Sequence, residues 1–226
     1  YYILPEIVLV ATAIAVLTAD FVLPDDRKPN LAWPAALGTL AALGLVLSFW
    51  GTERSLYDGT LQIDKYAVFF KAIFLVTGFF VLVGSPVYAR RNLRHTAEFY
   101  GLILLAVIGA MAVSSARELL TAYISLELVS FGFYALSAHA KDERRSNEAG
   151  AKYIILGAFS SALMLYGISL VFGAAGTTFY SDIAGQAQTA AGLGPGLVMG
   201  IALLIAGLGF KVAAVPFHMW TPDVYE

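Results

Sequence analysis

The chain holds 226 residues, of which 59% are hydrophobic and 13% charged, with a mean hydropathy of +0.75. A water-soluble domain carries about 45–50% apolar and about 25% charged residues, so a soluble globule is excluded. Fourteen Lys and Arg against sixteen Asp and Glu leave a net charge of -2, which supplies neither a basic surface for nucleic acid nor an acidic tail.

Partners are therefore to be sought inside a membrane. The absence of cysteine excludes disulfides, iron–sulfur ligation, thiol catalysis and thiolate zinc sites, and three scattered histidines do not make a paired-imidazole haem site. No cofactor is expected in this chain. Opening at Tyr1 and closing at Glu226 inside a polar turn, it reads as a fragment trimmed at both ends.

A membrane helix needs about 20 apolar residues. Seven such runs are predicted, at residues 3–23, 31–50, 66–88, 97–115, 118–138, 149–173 and 195–215, leaving nothing for a folded extramembrane domain. The fold class is all-α, a polytopic transmembrane bundle of about seven helices in a single domain fragment. The first run lacks a small-residue cleavage site and reads as a retained helix with Pro5 in its first turn.

The connections after runs one, three and five hold Arg27, Lys28, Arg90, Arg91, Arg94, Lys141, Arg144 and Arg145, whereas the others hold only Arg54, Lys65 and Arg117. That bias puts the odd connections in the cytoplasm and the N-terminus outside. The segment from Thr177 to Gly194, with Asp182 and no Lys or Arg, fits this orientation. Trp33, Trp50, Tyr1 and Tyr2 fall near run ends, where amphipathic rings meet headgroups. No internal repeat is visible.

Lys71, Lys152, Lys211 and Glu127 lie within the runs, and each charge near the bilayer centre costs at least about 2.5 to 3.5 kcal/mol. Lys71 is five residues inside run three, where its long stem is expected to reach the outer headgroups. Lys152 stands one turn after Glu148, so an i,i+4 pair at the cytoplasmic edge would satisfy it, as would a functional role.

Glu127 is about ten residues from either end of run five, roughly 15 Å from each surface at 1.5 Å per residue, and cannot snorkel. Tyr123, Glu127, Ser130, Tyr134 and Ser137 are spaced four, three, four and three, so they form one polar stripe. Hydrogen-bonded helix packing would explain the hydroxyls but does not require a carboxylate. Lys211 precedes a predicted break at Pro216, whose ring crowds the carbonyl of Val212, and His218 lies just beyond. Broken helices at depth are tolerated where protein or a wet cavity receives the freed backbone, and transporters place ion sites there. The rival reading is that the run simply ends at Pro216 and His218 sits in an interfacial loop.

An amine with an ordinary pKa near 10.4 carries protons poorly at pH 7. Burial disfavours its charged form and a nearby carboxylate favours it. At 4 Å and an effective dielectric of 20 the carboxylate contributes about 4 kcal/mol, similar in size to the burial effect. Moving a glutamate toward or away from a buried lysine would thus switch it between holding and releasing a proton. Glu127 and Lys211 are the expected pair, approached through Tyr123, Ser130, Tyr134 and water.

The segment Gly209-Phe210-Lys211 through Pro216-Phe217-His218-Met219-Trp220-Thr221-Pro222-Asp223-Val224-Tyr225-Glu226 resembles the seventh-helix segment of the subunit N family, the antiporter-like membrane subunits of respiratory complex I. Leu4-Pro5-Glu6, Leu126-Glu127-Leu128 and Glu148-Ala149-Gly150-Ala151-Lys152-Tyr153-Ile154 support the match across the whole chain.

The resemblance implies a fourteen-helix fold with two inverted five-helix repeats, of which this chain supplies the first half. It implies a half-channel ion pair at Glu127 and Lys211, a helix-six lysine at Lys152, and a hydration or gating role for His218. It further implies a proton-translocating NADH:quinone oxidoreductase subunit in a bacterial plasma membrane or an equivalent energy-transducing membrane. Its partners would be other membrane subunits of complex I, the lipid bilayer, protons and water, with no nucleic acid. The sodium/proton antiporter subunits of the Mrp type share the glutamate and lysine but usually read differently around Pro216, and are the alternative. A purely structural scaffold is a third.

Overall fold

The computed structural model describes residues 1–188 and 194–225, so residues 189–193 of the Thr177 to Gly194 connection, and Glu226, lie outside the described residues. Among the described residues, seven long helices carry the fold: α1 (Leu4–Ala19), α2 (Ala32–Ser48), α3 (Lys65–Gly84), α5 (Thr96–Ser115), α6 (Leu119–Ser137), α7 (Arg144–Ala175) and α9 (Pro195–Lys211). Three short ones, α4 (Pro86–Asn92), α8 (Tyr180–Ala187) and α10 (Thr221–Tyr225), lie in the connections. All seven predicted runs are present as helices.

Their ends differ from the prediction for local reasons. The first stops at Ala19, and Asp20, capping it at φ -60° and ψ -33°, meets Lys28 at 3.3 Å across the connection. The third divides at Ser85-Pro86, with α4 forming a separate basic helix. The sixth begins five residues early, at Arg144, and ends where Gly176 adopts φ 68° and returns its N–H to the Phe172 carbonyl at 2.7 Å. Five segments of 19 to 32 residues are long and apolar enough to cross a membrane, whereas α1 and α9 have only 16 and 17 residues.

A two-stranded antiparallel hairpin, β1 (Arg54–Leu56) and β2 (Leu61–Ile63), was not foreseen. Its turn places Tyr57, Asp58 and Gly59 at positive φ. Leu61 bridges to Ala116, Arg117 pairs with Asp64 at 2.8 Å, and Glu118 bridges to Phe179, so this end of the bundle is tied across four segments. The opposite end carries the arginines and lysines after α1, α3 and α6, and is called the basic end below.

The helices form two groups that share α5. On one side α1, α2 and α3 pack on each other and on α5 around Leu9, Leu75, Leu82, Tyr100 and Leu104, all essentially sealed from solvent. On the other side α6 packs on α5, α7 on α6, and α9 along α7. A Cβ on Gly200 would sit 2.9 Å from the Gly167 carbonyl and the Val171 nitrogen, so α7 and α9 approach to backbone contact.

Candidate functional site

The site is built from α6, α7 and α9. Glu118 starts α6 by capping it: its carboxylate accepts the backbone N–H of Thr121 at 2.7 Å and of Leu120 at 3.1 Å, with a short bond from the Thr121 hydroxyl as well. Burial pushes this carboxyl up, but the bonds from Thr121, Thr178 and Leu120 outweigh it and hold it below its ordinary 4.5. From that fixed start Glu127 projects about 12 Å down the helix axis.

Lys211 is the last residue of α9, so the helix stops five positions before Pro216, where the break was expected. The helix ends at the lysine itself, and the turn that follows holds Ala213 at φ 52°. The amine donates to Glu127 Oε1 at 2.8 Å, Ser130 Oγ at 2.6 Å and Ser161 Oγ at 3.3 Å. Those are all the protons an ammonium has. Ser161 in turn donates to the same carboxylate oxygen at 2.7 Å, closing a ring of acid, amine and hydroxyl from three helices. The side chains of Lys211 and Glu127 are 11% and 15% exposed. The Tyr134 ring lies 6.0 Å from the amine.

The predicted pair is thus in direct contact, and Ser130 and Tyr134 of the predicted stripe accompany it. Tyr123 lies one turn from Glu127 and is half-buried. Ser137, at the end of the stripe, bonds the Tyr134 carbonyl and accepts from Ser146, so it belongs to the basic end. Lys152 is away from the pair, with Glu148 at 2.9 Å and Asp223 at 3.3 Å. His218 stands exposed in the turn past Pro216, and that turn, not a continuing helix, is where Pro216 lies.

Lys71 does not reach headgroups. It pairs with Glu6 of α1 at 2.7 Å, and its side chain is 5% exposed. Three partners went unread in the sequence: Glu6, Asp223 and Ser161. Glu6 reads as an ordinary first-turn acid after Pro5, and Asp223 as part of a turn motif. The Ser160-Ser161 couple in an otherwise apolar run was the visible sign of the third.

At the basic end a cleft of about 560 Å³ opens between α6, α7 and α10, lined by His139, Glu143, Arg145, Glu148, Lys152 and Asp223 among others. His139 is buried there with Nε2 donating to the His95 carbonyl at 2.9 Å. Burial lowers its pKa below the ordinary 6.5, against the opposing effect of that hydrogen bond.

Residues 116–226 match the family described as NADH:quinone oxidoreductase/Mrp antiporter, TM. The chain is 39% identical over 226 residues to NADH-quinone oxidoreductase subunit N of Trichlorobacter lovleyi, covering 99% of this chain and 46% of that protein. It is 41% identical to the F(420)H(2) dehydrogenase subunit N of Methanosarcina mazei, covering 100% and 47%. Among solved structures, a chain of respiratory complex I from Thermus thermophilus superposes with a TM-score of 0.79 at 32% identity, covering 98% of this chain and 47% of that one. The chain spans about half the length of the curated relatives it matches.

Proposed function

The chain belongs to the NADH:quinone oxidoreductase/Mrp antiporter transmembrane family, and on that premise we propose that it is part of a proton-translocating membrane subunit of an NADH:quinone oxidoreductase. The observation that carries this reading is the ring of Glu127, Lys211, Ser130 and Ser161 at mid-helix depth, with its acid and amine on different helices. An ammonium with every proton committed and a carboxylate in contact holds charge stably. Separating the two by a small helix movement exposes the amine to the burial effect alone, and the proton leaves. The hydroxyls of Ser130 and Ser161 can accept and donate, so they pass that proton without holding charge.

In this reading Tyr123 and Tyr134 flank the path, Lys152 exchanges protons at the mouth of the basic-end cleft, and His218 keeps the turn beyond Lys211 hydrated. The chain supplies no redox cofactor. The driving chemistry comes from partner subunits in the same energy-transducing membrane, and the apolar outer faces, with Ile155, Phe159 and Phe80 at 68, 67 and 66% exposure, meet lipid or those partners.

In the full-length subunit within its complex, Glu127→Ala and Lys211→Ala are expected to abolish NADH-driven proton pumping while assembly survives. Pumping at the normal rate in both variants refutes the assignment. The family description also names Mrp antiporters, which favours a second reading, cation/proton exchange through the same pair. Sodium transport by the purified full-length protein in vesicles without NADH would select it.

A further inference from the structure

Tyr134 is 5% exposed, and its hydroxyl is buried with no hydrogen-bond partner. Burying an unsatisfied hydroxyl costs stability, and phenylalanine would fill the same space without that cost. The space is specific: a Cβ added at Gly157 would lie 2.0 Å from the phenol oxygen, so the hydroxyl occupies a notch that only glycine leaves open on α7. Gly157 is one turn from Ser161 and Tyr134 is one turn from Ser130, the two hydroxyls on the Lys211 amine. A single water can bridge neighbouring hydroxyls of this kind.

The basic-end cleft reaches Ser137, one turn along α6 from Tyr134, and Lys152, the residue before Tyr153 on α7. The Tyr153 ring meets Tyr134 edge-on at 4.6 Å and 87°, and Trp220 stacks on Tyr153 at 4.5 Å and 7°. Trp220 is itself anchored by Nε1 to the Phe210 carbonyl, one residue before Lys211, at 3.0 Å. Aromatic rings thus run from Tyr134 through Tyr153 to Trp220, and among the described residues the Tyr134 hydroxyl is a buried polar atom of this stack without a hydrogen-bond partner.

We propose that the Tyr134 hydroxyl, seated in the Gly157 notch, is the relay between the basic-end cleft and the Lys211–Glu127 pair. This rests on the proton-transfer role of that pair. The phenol oxygen accepts a proton from water on the cleft side as its own O–H proton passes to water facing Ser130 and Ser161. One O–H bond forms as one breaks, the phenol ends neutral, and the proton proceeds to the pair.

The test is Tyr134→Phe in the full-length subunit within its complex, measured alongside Glu127→Gln by dye-reported acidification of vesicles and by thermal melting. The expected result for Tyr134→Phe is at least a tenfold slower proton uptake with an unchanged or higher melting temperature, since no bond is lost. Gly157→Ala, which displaces the phenol, should slow uptake similarly, and adding Tyr134→Phe to it should cost little more. Normal uptake in Tyr134→Phe, or slow uptake together with a lowered melting temperature, overturns the relay. If Glu127→Gln is inactive while Tyr134→Phe is normal, the relay alone falls; if both are normal, the ion-pair reading falls with it.

Discussion

Two buried acid–amine pairs sit on opposite sides of α5, and their geometry is almost the same. Lys71–Glu6 closes at 2.7 Å and Lys211–Glu127 at 2.8 Å, and each acid and its amine come from different helices. What surrounds them differs. The Lys211 amine bonds two serine hydroxyls besides its carboxylate, and one of those hydroxyls also bonds the acid. At the other pair Glu6 Oε2 is buried without a partner, and among the described residues the Lys71 amine bonds Glu6 and no hydroxyl. Burial and charge alone do not make a proton site. On the proposed reading exchangeable hydroxyls that can take over a proton do, and among the described residues the Lys211 amine bonds such hydroxyls while the Lys71 amine does not.

The sharpest way to break this contrast is to make both pairs apolar. Lys211→Met with Glu127→Leu should eliminate proton transport, whereas Lys71→Met with Glu6→Leu should leave the rate within about twofold, and both doubles should fold, because well-packed apolar replacements of buried pairs are often tolerated. Transport read in vesicles decides it; loss in both doubles would make the two pairs functionally alike.

Next come the single changes. Glu6→Leu strands a bare amine and should destabilise by about 3–5 kcal/mol in a thermal or denaturant melt. Glu127→Leu should cost less, because Ser130 and Ser161 still hold the Lys211 amine. Ser161→Ala removes one hydrogen bond of about 1 kcal/mol and should slow transport about fivefold, with little change in melting.

The smallest effect lies at the Glu118 cap, outside both pairs. Its folded pKa is lowered, so its stabilisation is present above pH about 4.5 and is lost as pH falls through the folded value. Glu118→Gln should flatten the melting curve against pH in that acid window and cost about 1 kcal/mol above it. An unchanged acid profile would remove the carboxylate from the account.

Most of the fold was legible because membrane helices announce themselves by length and hydropathy, and the three-four periodicity of Glu127, Ser130 and Tyr134 put them on one face without further help. The break after α9 was legible as an event but not in place: proline marks where a helix cannot continue, while Lys211 is where this one stops, and the intervening turn brings Trp220 back onto Phe210. Partners across helices were the hardest to read. Nothing local distinguishes Glu6 from any acid in a first turn, and its match with Lys71, 65 residues away, exists only once α1 and α3 are packed. The hairpin was missed because its strands are three residues each and flanked by charges, too short to show an alternating pattern.

The packing of α9 carries one more consequence. That helix lies along α7 and scarcely meets α6, so a single flexible side chain supplies most of what fastens its tip to the opposite wall. On the proposed reading, charge on that side chain is therefore also a latch: a neutral amine holds the tip to α6 more weakly, and a charged one draws it home. Ionisation and displacement would then be one event read on two scales.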